Sequence, residues 1–481
     1  MLLRRFYHDG LAQASYLLGC QKTGEALVVD PHRDADEYVA AAAAEGVRIT
    51  HVTETHIHAD YLSGSRELCA ATGARLLLSG EGGRDWQYAF ADADGATLLH
   101  DGDTFMIGNL RLQAVHTPGH TPEHVCFVVT DTPASDRPVG AFTGDFLFVG
   151  DVGRPDLLER AAQVAGTMRE GARQLFASLQ RFGATYPDYL QVWPGHGSGS
   201  ACGKALGAVP QTTLGYEKVA NWALQLRDEA AFVEAVLEGQ PSPPRYFATM
   251  KRMNRAGPPV LGPRPPLPRC DLAEVDAAVA RGSVVVDLRA AAVAMADALP
   301  FALNIPYGKS FVGWAGWLLD YDRDLYLLAA GDDTAAAEAA RRELAMIGLD
   351  RVRGRLGDAV LAEWRGAGRA TDRIAQVTPD ALAGWIARGA ATVVDVREPT
   401  EWAAGHIPGA HHVPLGRLAE ALPSLPRGRT LVLHCQAGAR SAIACSVAHR
   451  AGVTGVANLA GGFAAWRGAG APVAVPEPRT A

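Results

Sequence analysis

The stretch THIHADYLSG (55–64) sets His56, His58 and Asp60 at alternate positions. Imidazole and carboxylate are the groups that bind zinc and iron. Three more donors of the same kind follow, His120 in HTPGHTPEH, Asp145 in FTGDFLF and His196 in WPGHG. A single histidine is more often a hydrogen-bonded core or loop residue than a ligand. Six donors, each on a polar turn after an apolar run, argue for a shared metal site. Tyr61 follows directly, and a phenol stays protonated near neutral pH unless a metal displaces the proton. A second chemistry is written in LVLHCQAGARSAIACSVAHR (431–450). There an apolar strand leads into Cys435, a short loop of small residues closed by Arg440, and then a helix. A thiol at a helix N-terminus is acidified by the helix dipole. The backbone N–H groups of such a loop, Gly438 among them, face an anion or a persulfide sulfur.

These residues need strands to position them. GEALVVD (24–30), VRITHVTET (47–55), LRLQAVHTPGHT (110–121), VCFVVT (125–130) and YLQVWPGHG (189–197) read as strands ending in polar loops. Histidines recur where those strands end, as expected for an α/β architecture that presents its chemistry at strand ends. The chain has 481 residues, so two to four domains are expected, and at 48% hydrophobic it has ample material for several cores. A net charge of −7, spread along the chain, argues against a nucleic-acid or anionic-membrane partner. No apolar run is long enough for a secretory signal or a bilayer span. The seven cysteines are scattered, without a CxxC, and read as reduced thiols of a cytoplasmic protein.

The proline-rich run that follows PSPPRYF, ending in GPPVLGPRPPLPRC (257–270), reads as a semi-rigid linker over residues 246–269, after a first domain at 1–245. An internal repeat follows. VVVDLR (284–289) pairs with VVDVRE (393–398), LPFALNIPYG (299–308) with IPGAHHVPLG (407–416), and LAEWRGAG (361–368) with FAAWRGAG (463–470). Two small parallel α/β domains are therefore expected, at 270–370 and 374–475.

THIHAD, TPGHT, FTGD and GHG together resemble the metallo-β-lactamase fold, an αββα sandwich, on its glyoxalase II and persulfide dioxygenase branch. The hydrolases of this fold share two zincs among the whole ligand set, whereas persulfide dioxygenases bind one iron. Carried onto this chain, that resemblance implies one Fe(II) per chain held by His56, His120 and Asp145, with His58, Asp60, Tyr61 and His196 supporting the ligands. Losing the fourth ligand at Tyr61 weakens the second metal position, which favours one iron over two zincs. Arg154, in VGDVGRPDLLE, is expected to hold a carboxylate of the thiol carrier, with an ion pair to Asp156 or Glu159 as the alternative. Cys202, in GHGSGSACGKALG, lies close enough to the metal histidines in sequence to be a candidate sulfur relay.

DVREPTEWAAGHIPGAHHVP (395–414), the Cys435 loop and AGGFAAWRGAG (460–470) resemble the rhodanese family, whose six-residue loop carries sulfane sulfur on cysteine. That resemblance implies Cys435 as nucleophile, with Arg440, Gln436 and Gly438 around the transferred sulfur. In the first repeat Ala329 falls at the cysteine position and Thr334 at the arginine position. Asp332 and Asp333 bring negative charge there, so this copy is expected to be inactive. The whole order resembles bacterial persulfide dioxygenase–sulfurtransferase fusions. The expected substrates are a low-molecular-weight thiol persulfide such as glutathione persulfide, O2, and sulfite or thiosulfate, in sulfide detoxification by a homo-oligomer. The rivals are a two-zinc glyoxalase II-like thioester hydrolase fused to a sulfurtransferase, and a sulfur-carrier module with a structural metal.

Overall fold

A computed structural model describes residues 1–160, 166–331 and 333–475. The chain forms two compact units, Met1–Arg264 with Arg342–Leu349, and Pro265–Arg341 with the residues from Asp350 onward. The first contains two six-stranded sheets. One is built in order from β1 (Leu2–His8), β2 (Gln13–Cys20), β3 (Glu25–Val29), β4 (Arg48–Thr53), β5 (Arg75–Ser79) and β6 (Thr97–Leu99). The other runs from β7 (Thr104–Ile107) through β8 (Leu110–His116), β9 (Val125–Asp131), β10 (Gly140–Gly144) and β11 (Gln191–Pro194) to β12 (Thr212–Thr213).

Alternation along the strands decides what lies between the sheets. Ala14, Tyr16 and Leu18 of β2 meet Leu112 and Ala114 of β8, Phe127 of β9 and Trp193 of β11 in one core. The opposite face of the first sheet is covered by the helices Ala35–Ala44 and Ser65–Thr72, which contribute Tyr38, Ala41 and Leu68. The opposite face of the second is covered by Thr167–Thr185, whose Ala172, Leu175, Leu179 and Phe182 recur at helical spacing. Each such Leu or Phe contributes about 1.5–3 kcal/mol when fully buried. The layers are helix, sheet, sheet, helix.

Topology then gathers the chemistry. Strands β10 and β11 are parallel, and β8 is antiparallel to β9, which is antiparallel to β10. The C-ends of β8, β10 and β11 therefore share one edge, and His120, Asp145 and His196 each follow one of those ends. In the other sheet β3 and β4 run parallel, and Asp30 and His56 follow their ends.

The linker reading needs correction over part of its length. Phe247–Ala256 is a helix with Phe247, Met250, Lys251 and Asn254 buried, and the first unit extends to Arg264 rather than ending at 245. Methionine and phenylalanine at helical spacing carry an amphipathic signal that the surrounding prolines obscure.

The second unit holds two sheets. The first is ordered β14-β13-β15-β16, with β13 at Val284–Asp287, β14 at Ala302–Asn304, β15 at Leu325–Ala329 and β16 at Val352–Gly357. The second is ordered β17-β21-β20-β18-β19, from β17 (Ala375–Val377), β18 (Ala391–Asp395), β19 (His411–His412), β20 (Thr430–His434) and β21 (Val456–Leu459). All pairings in both sheets are parallel. The repeat is visible in backbone bonds, since Leu288 N donates to Leu328 O as Val396 N donates to His434 O. That match sets Ala329 opposite Cys435. Asp332 lies outside the described residues.

Candidate metal centre and sulfur-transfer loop

His56, His120 and Asp145 are buried and bring one donor atom each within 4.8 Å of one another. Asp145 Oδ2 is 3.5 Å from His120 Nε2 and 3.9 Å from His56 Nε2. Ligands of one ion at metal–donor distances of about 2.0–2.2 Å stand at such separations. Neither Asp145 oxygen has a hydrogen-bond partner, nor does His56 Nε2. Buried acceptors left bare are strongly unfavourable unless something fills the gap. A cation satisfies all of them together, so these residues fit a metal ion.

The far sides of the rings show how the fold orients them. Thr55 Oγ1 donates to Asp30 Oδ2 at 2.9 Å, so it accepts from His56 Nδ1–H at 2.9 Å. His120 Nδ1 donates to Arg154 O at 2.9 Å, and His196 Nδ1 to Ala12 O at 3.0 Å. Each bond fixes the tautomer and turns the Nε2 lone pair inward. Burial, followed by the neighbouring histidines, holds His56 well below the usual imidazole range. Burial and then the Lys251 charge push His120 down to about 3. Both rings are therefore neutral, as ligands must be. Burial raises the Asp145 carboxyl. Gly144 precedes Asp145 at φ +47, and a Cβ there would lie 2.4 Å from Thr55 Oγ1, so only glycine brings the turn this close.

The remaining donors divide. His58 Nε2 pairs with Asp30 Oδ1 at 3.1 Å; burial opposes its charge, but Asp30 outweighs it and raises the ring to about 9. Tyr61 is fully buried, packs against His58 with the two rings tilted at 38°, and donates its hydroxyl to Asp30 O at 3.1 Å. Asp60, His196 and Cys202 form a second group of donors within 4.8 Å, with His196 Nε2 3.3 Å from both Asp60 Oδ2 and Asp145 Oδ1.

At the other candidate site Cys435 follows β20 and precedes the helix Ala439–Arg450. Gly438 N–H points at its sulfur from 3.2 Å and Ser441 Oγ from 3.5 Å. Burial opposes ionisation of the thiol, but these donors prevail and lower its pKa. Gly438 adopts φ +102, which turns its N–H inward. Gly462 also has positive φ, and a Cβ there would lie 2.5 Å from Cys435 O. Arg440 forms two bonds of 2.6 and 2.7 Å to Glu401. Gln436 is exposed at the loop mouth and accepts from Arg397 Nη1 at 3.3 Å.

Residues 8–196 match the metallo-beta-lactamase superfamily, and residues 378–469 match the rhodanese-like domain. A metallo-beta-lactamase structure from Staphylococcus aureus is 41% identical, covering 74% of this chain and 99% of that one with a TM-score of 0.68. The chain belongs to the metallo-beta-lactamase superfamily. It carries a C-terminal rhodanese-like domain in addition. The mitochondrial persulfide dioxygenase of Bos taurus is 30% identical over 197 residues, 41% of this chain and 68% of the relative. The hydroxyacylglutathione hydrolase of Polaromonas sp. is 35% identical over 187 residues, 38% of this chain and 61% of the relative. The chain thus spans 60–61% of the length of the first hydrolases it matches.

Within this metallo-beta-lactamase domain Arg154 makes the ion pair to Asp156 that was the alternative to carrier binding. Its guanidinium is fully buried and gives two 2.7 Å bonds to Asp156 and one of 3.0 Å to Ala201 O. Its contribution to the centre is the backbone oxygen that holds His120. Cys202 is buried, and burial, with Asp60 and Asp145 nearby, raises its thiol well above the ordinary range. Without a cation it is a protonated thiol rather than the thiolate a sulfur relay needs.

Sequence reasoning missed Asp30, Thr55 and His124. Asp145 N–H donates to His124 Nε2 at 3.2 Å, so His124 Nδ1–H donates to Thr117 at 2.8 Å and fixes the ligand's backbone. Asp30 had a readable signal, an apolar strand ending in aspartate, the pattern also seen at Asp287 and Asp395. His124 had none, because TPEH gives no spacing that separates it from His120.

Proposed function

We propose that the first unit is a persulfide dioxygenase that binds one Fe(II) through His56, His120 and Asp145. Its substrate is a low-molecular-weight thiol persulfide such as glutathione persulfide, in the balance RSSH + O2 + H2O → RSH + sulfite + 2 H⁺. When bound, iron supplies the redox chemistry with O2 and a place for the terminal sulfur. Two imidazoles and one carboxylate leave open positions, as non-haem oxygenases require. The observation that carries the reading is Tyr61, whose hydroxyl is spent on Asp30 O instead of completing a second metal position. Asp30, through Thr55 and His58, holds the His-x-His loop in place. Similarity to the persulfide dioxygenase of Bos taurus supports the same assignment.

The Cys435 thiolate then attacks a sulfane sulfur. The donor's S–S bond breaks, the donor leaves as a thiolate or as sulfite, and Cys435 holds a persulfide. Attack by sulfite on the outer sulfur yields thiosulfate and restores the thiolate, and the reverse direction uses the same atoms. Glu401 holds Arg440 beside this loop. The repeat ending at Ala329 is an inactive rhodanese copy, supported by the hydrogen bonds it shares with the active one. The setting is cytoplasmic sulfide detoxification, in a homo-oligomer.

The Asp60, His196 and Cys202 group favours a second reading, a two-zinc thioester hydrolase in which Cys202 takes the place left by Tyr61. Similarity to hydroxyacylglutathione hydrolases agrees with it. Metal analysis combined with product analysis separates the two. Iron at about one equivalent, with sulfite formed from glutathione persulfide only in air, supports the dioxygenase. Two zincs with hydrolysis of S-lactoylglutathione would replace it.

A further inference from the structure

The helix Phe247–Ala256 brings an uncommitted charge to the metal centre. Asn254 pins this helix to the ligand loop, donating to His58 O and Tyr61 O at 2.8 Å each and accepting from Ser63 N at 2.9 Å. Lys251 lies one turn earlier on the same buried face and is 8% exposed. Its ammonium stands 4.1 Å from the centre of the Trp86 ring. Among the described residues it has no hydrogen-bond acceptor and no carboxylate at ion-pair distance. A buried ammonium has three donors to satisfy, and leaving them bare is unfavourable. The ring offers a weaker electrostatic partner than an oxygen or sulfur anion.

Its surroundings indicate what is missing. Glu123 Oε1 accepts from Ile57 N, between His56 and His58, at 2.8 Å, and Glu123 Oε2 has no partner. If Lys251 served only to neutralise Glu123, the two would form an ion pair. Trp86 and Glu123 pack on the same residue, since a Cβ at Gly82 would lie 2.8 Å from the Cβ of each, so the ring beneath the ammonium adjoins the carboxylate that holds the ligand loop. Trp86 is half-buried, so the ammonium lies against a partly solvent-facing ring.

We propose that Lys251 binds the negative charge on the reacting sulfur, the terminal persulfide anion as substrate arrives and the sulfite anion as product leaves. This rests on the reading of the centre as a persulfide site and adds the group that recognises the substrate's charge. Persulfides are more acidic than thiols and enter as anions, and the site's own carboxylate, Asp145, would repel them without such a cation. Burial pulls the lysine down to about 8, which keeps it mostly protonated at neutral pH.

The test is calorimetric titration of the Fe(II) holoenzyme without oxygen, so that binding is read apart from turnover. The probes are glutathione persulfide, which has carboxylates, and 2-hydroxyethyl persulfide, which has none. Lys251→Gln is expected to weaken both by about ten- to a hundredfold, the loss typical of a charged hydrogen bond, while retaining iron, and Lys251→Arg to recover most of it. Weakening of glutathione persulfide alone would move the lysine to a carrier carboxylate and overturn the sulfur assignment. Unchanged binding of both would overturn the proposal. If Lys251→Gln fails to bind iron, competition of sulfite with each persulfide in the wild type and in Lys251→Arg decides, and its absence in both would also overturn it. Lysine-dependent binding without oxygen consumption would defeat the dioxygenase reading and leave this one standing.

Discussion

The metal centre and Cys435 lie at the C-ends of strands, and both are buried, yet the polar atoms around them are arranged in opposite senses. At the metal centre acceptors converge, and among the described residues His56 Nε2 and both oxygens of Asp145 have no hydrogen-bond partner. At Cys435 donors converge on sulfur, from Gly438 N and Ser441 Oγ. The first arrangement is incomplete without a cation, and the second stabilises an anion. Similar strand-to-loop geometry therefore suits a cation in one place and a thiolate in the other, and the difference lies in which side chains follow the strand. Ala329 sharpens the contrast. The repeat that contains it keeps the strand and its backbone bonds but has no sulfur to direct them at.

If the two sites are chemically separate, each can be broken alone. The largest effect is expected from Cys435→Ala, which should lower sulfur transfer from persulfide to sulfite by about 10⁴-fold or more, as loss of a covalent nucleophile does. Oxygen consumption should be unchanged, and a parallel loss would show that the sites are coupled.

Next is Arg154→Met. Removing one partner of a buried pair destabilises by about 3–5 kcal/mol, so the melting temperature should fall while KM for persulfide in the folded protein stays constant. A raised KM with an unchanged melting temperature would place Arg154 at the substrate site. Thr55→Val should weaken iron binding by about 10- to 100-fold, because His56 and Asp30 both lose their link. Competition with a chelator measures it, and an unchanged affinity would mean that the Asp30–Thr55–His56 chain is incidental.

The smallest effect concerns acidity. The lowered pKa of Cys435 means that its thiolate persists below the ordinary thiol range, so transfer should hold up as pH falls toward neutrality. Ser441→Ala removes one donor and should move the midpoint of the rate–pH profile upward. An unmoved midpoint would assign the shift to Gly438 and the rest of the loop backbone.

Sequence pattern carried the strands far because each long apolar run in the first unit ends in a turn bearing a donor, as at His116–His120 and Gly144–Asp145. It was silent on Thr55, which acts through a hydroxyl shared between His56 and Asp30, residues joined only when β3 and β4 pair. It left Arg154 open, because a salt bridge two residues away and a substrate clamp look identical in sequence. It passed over Lys251 and Asn254, because the flanking prolines conceal a ten-residue helix. Local chemistry was legible, whereas partners brought together by folding were not.

The central claim is that the acceptor-only centre performs an oxygen-dependent reaction on persulfide. The direct test is oxygen-electrode measurement of Fe(II)-loaded protein with glutathione persulfide, in the wild type, His120→Ala and Cys435→Ala. Uptake matched mole for mole by sulfite, lost in His120→Ala and kept in Cys435→Ala, is the predicted result. No uptake in the iron-loaded wild type, or uptake that survives His120→Ala, would contradict it.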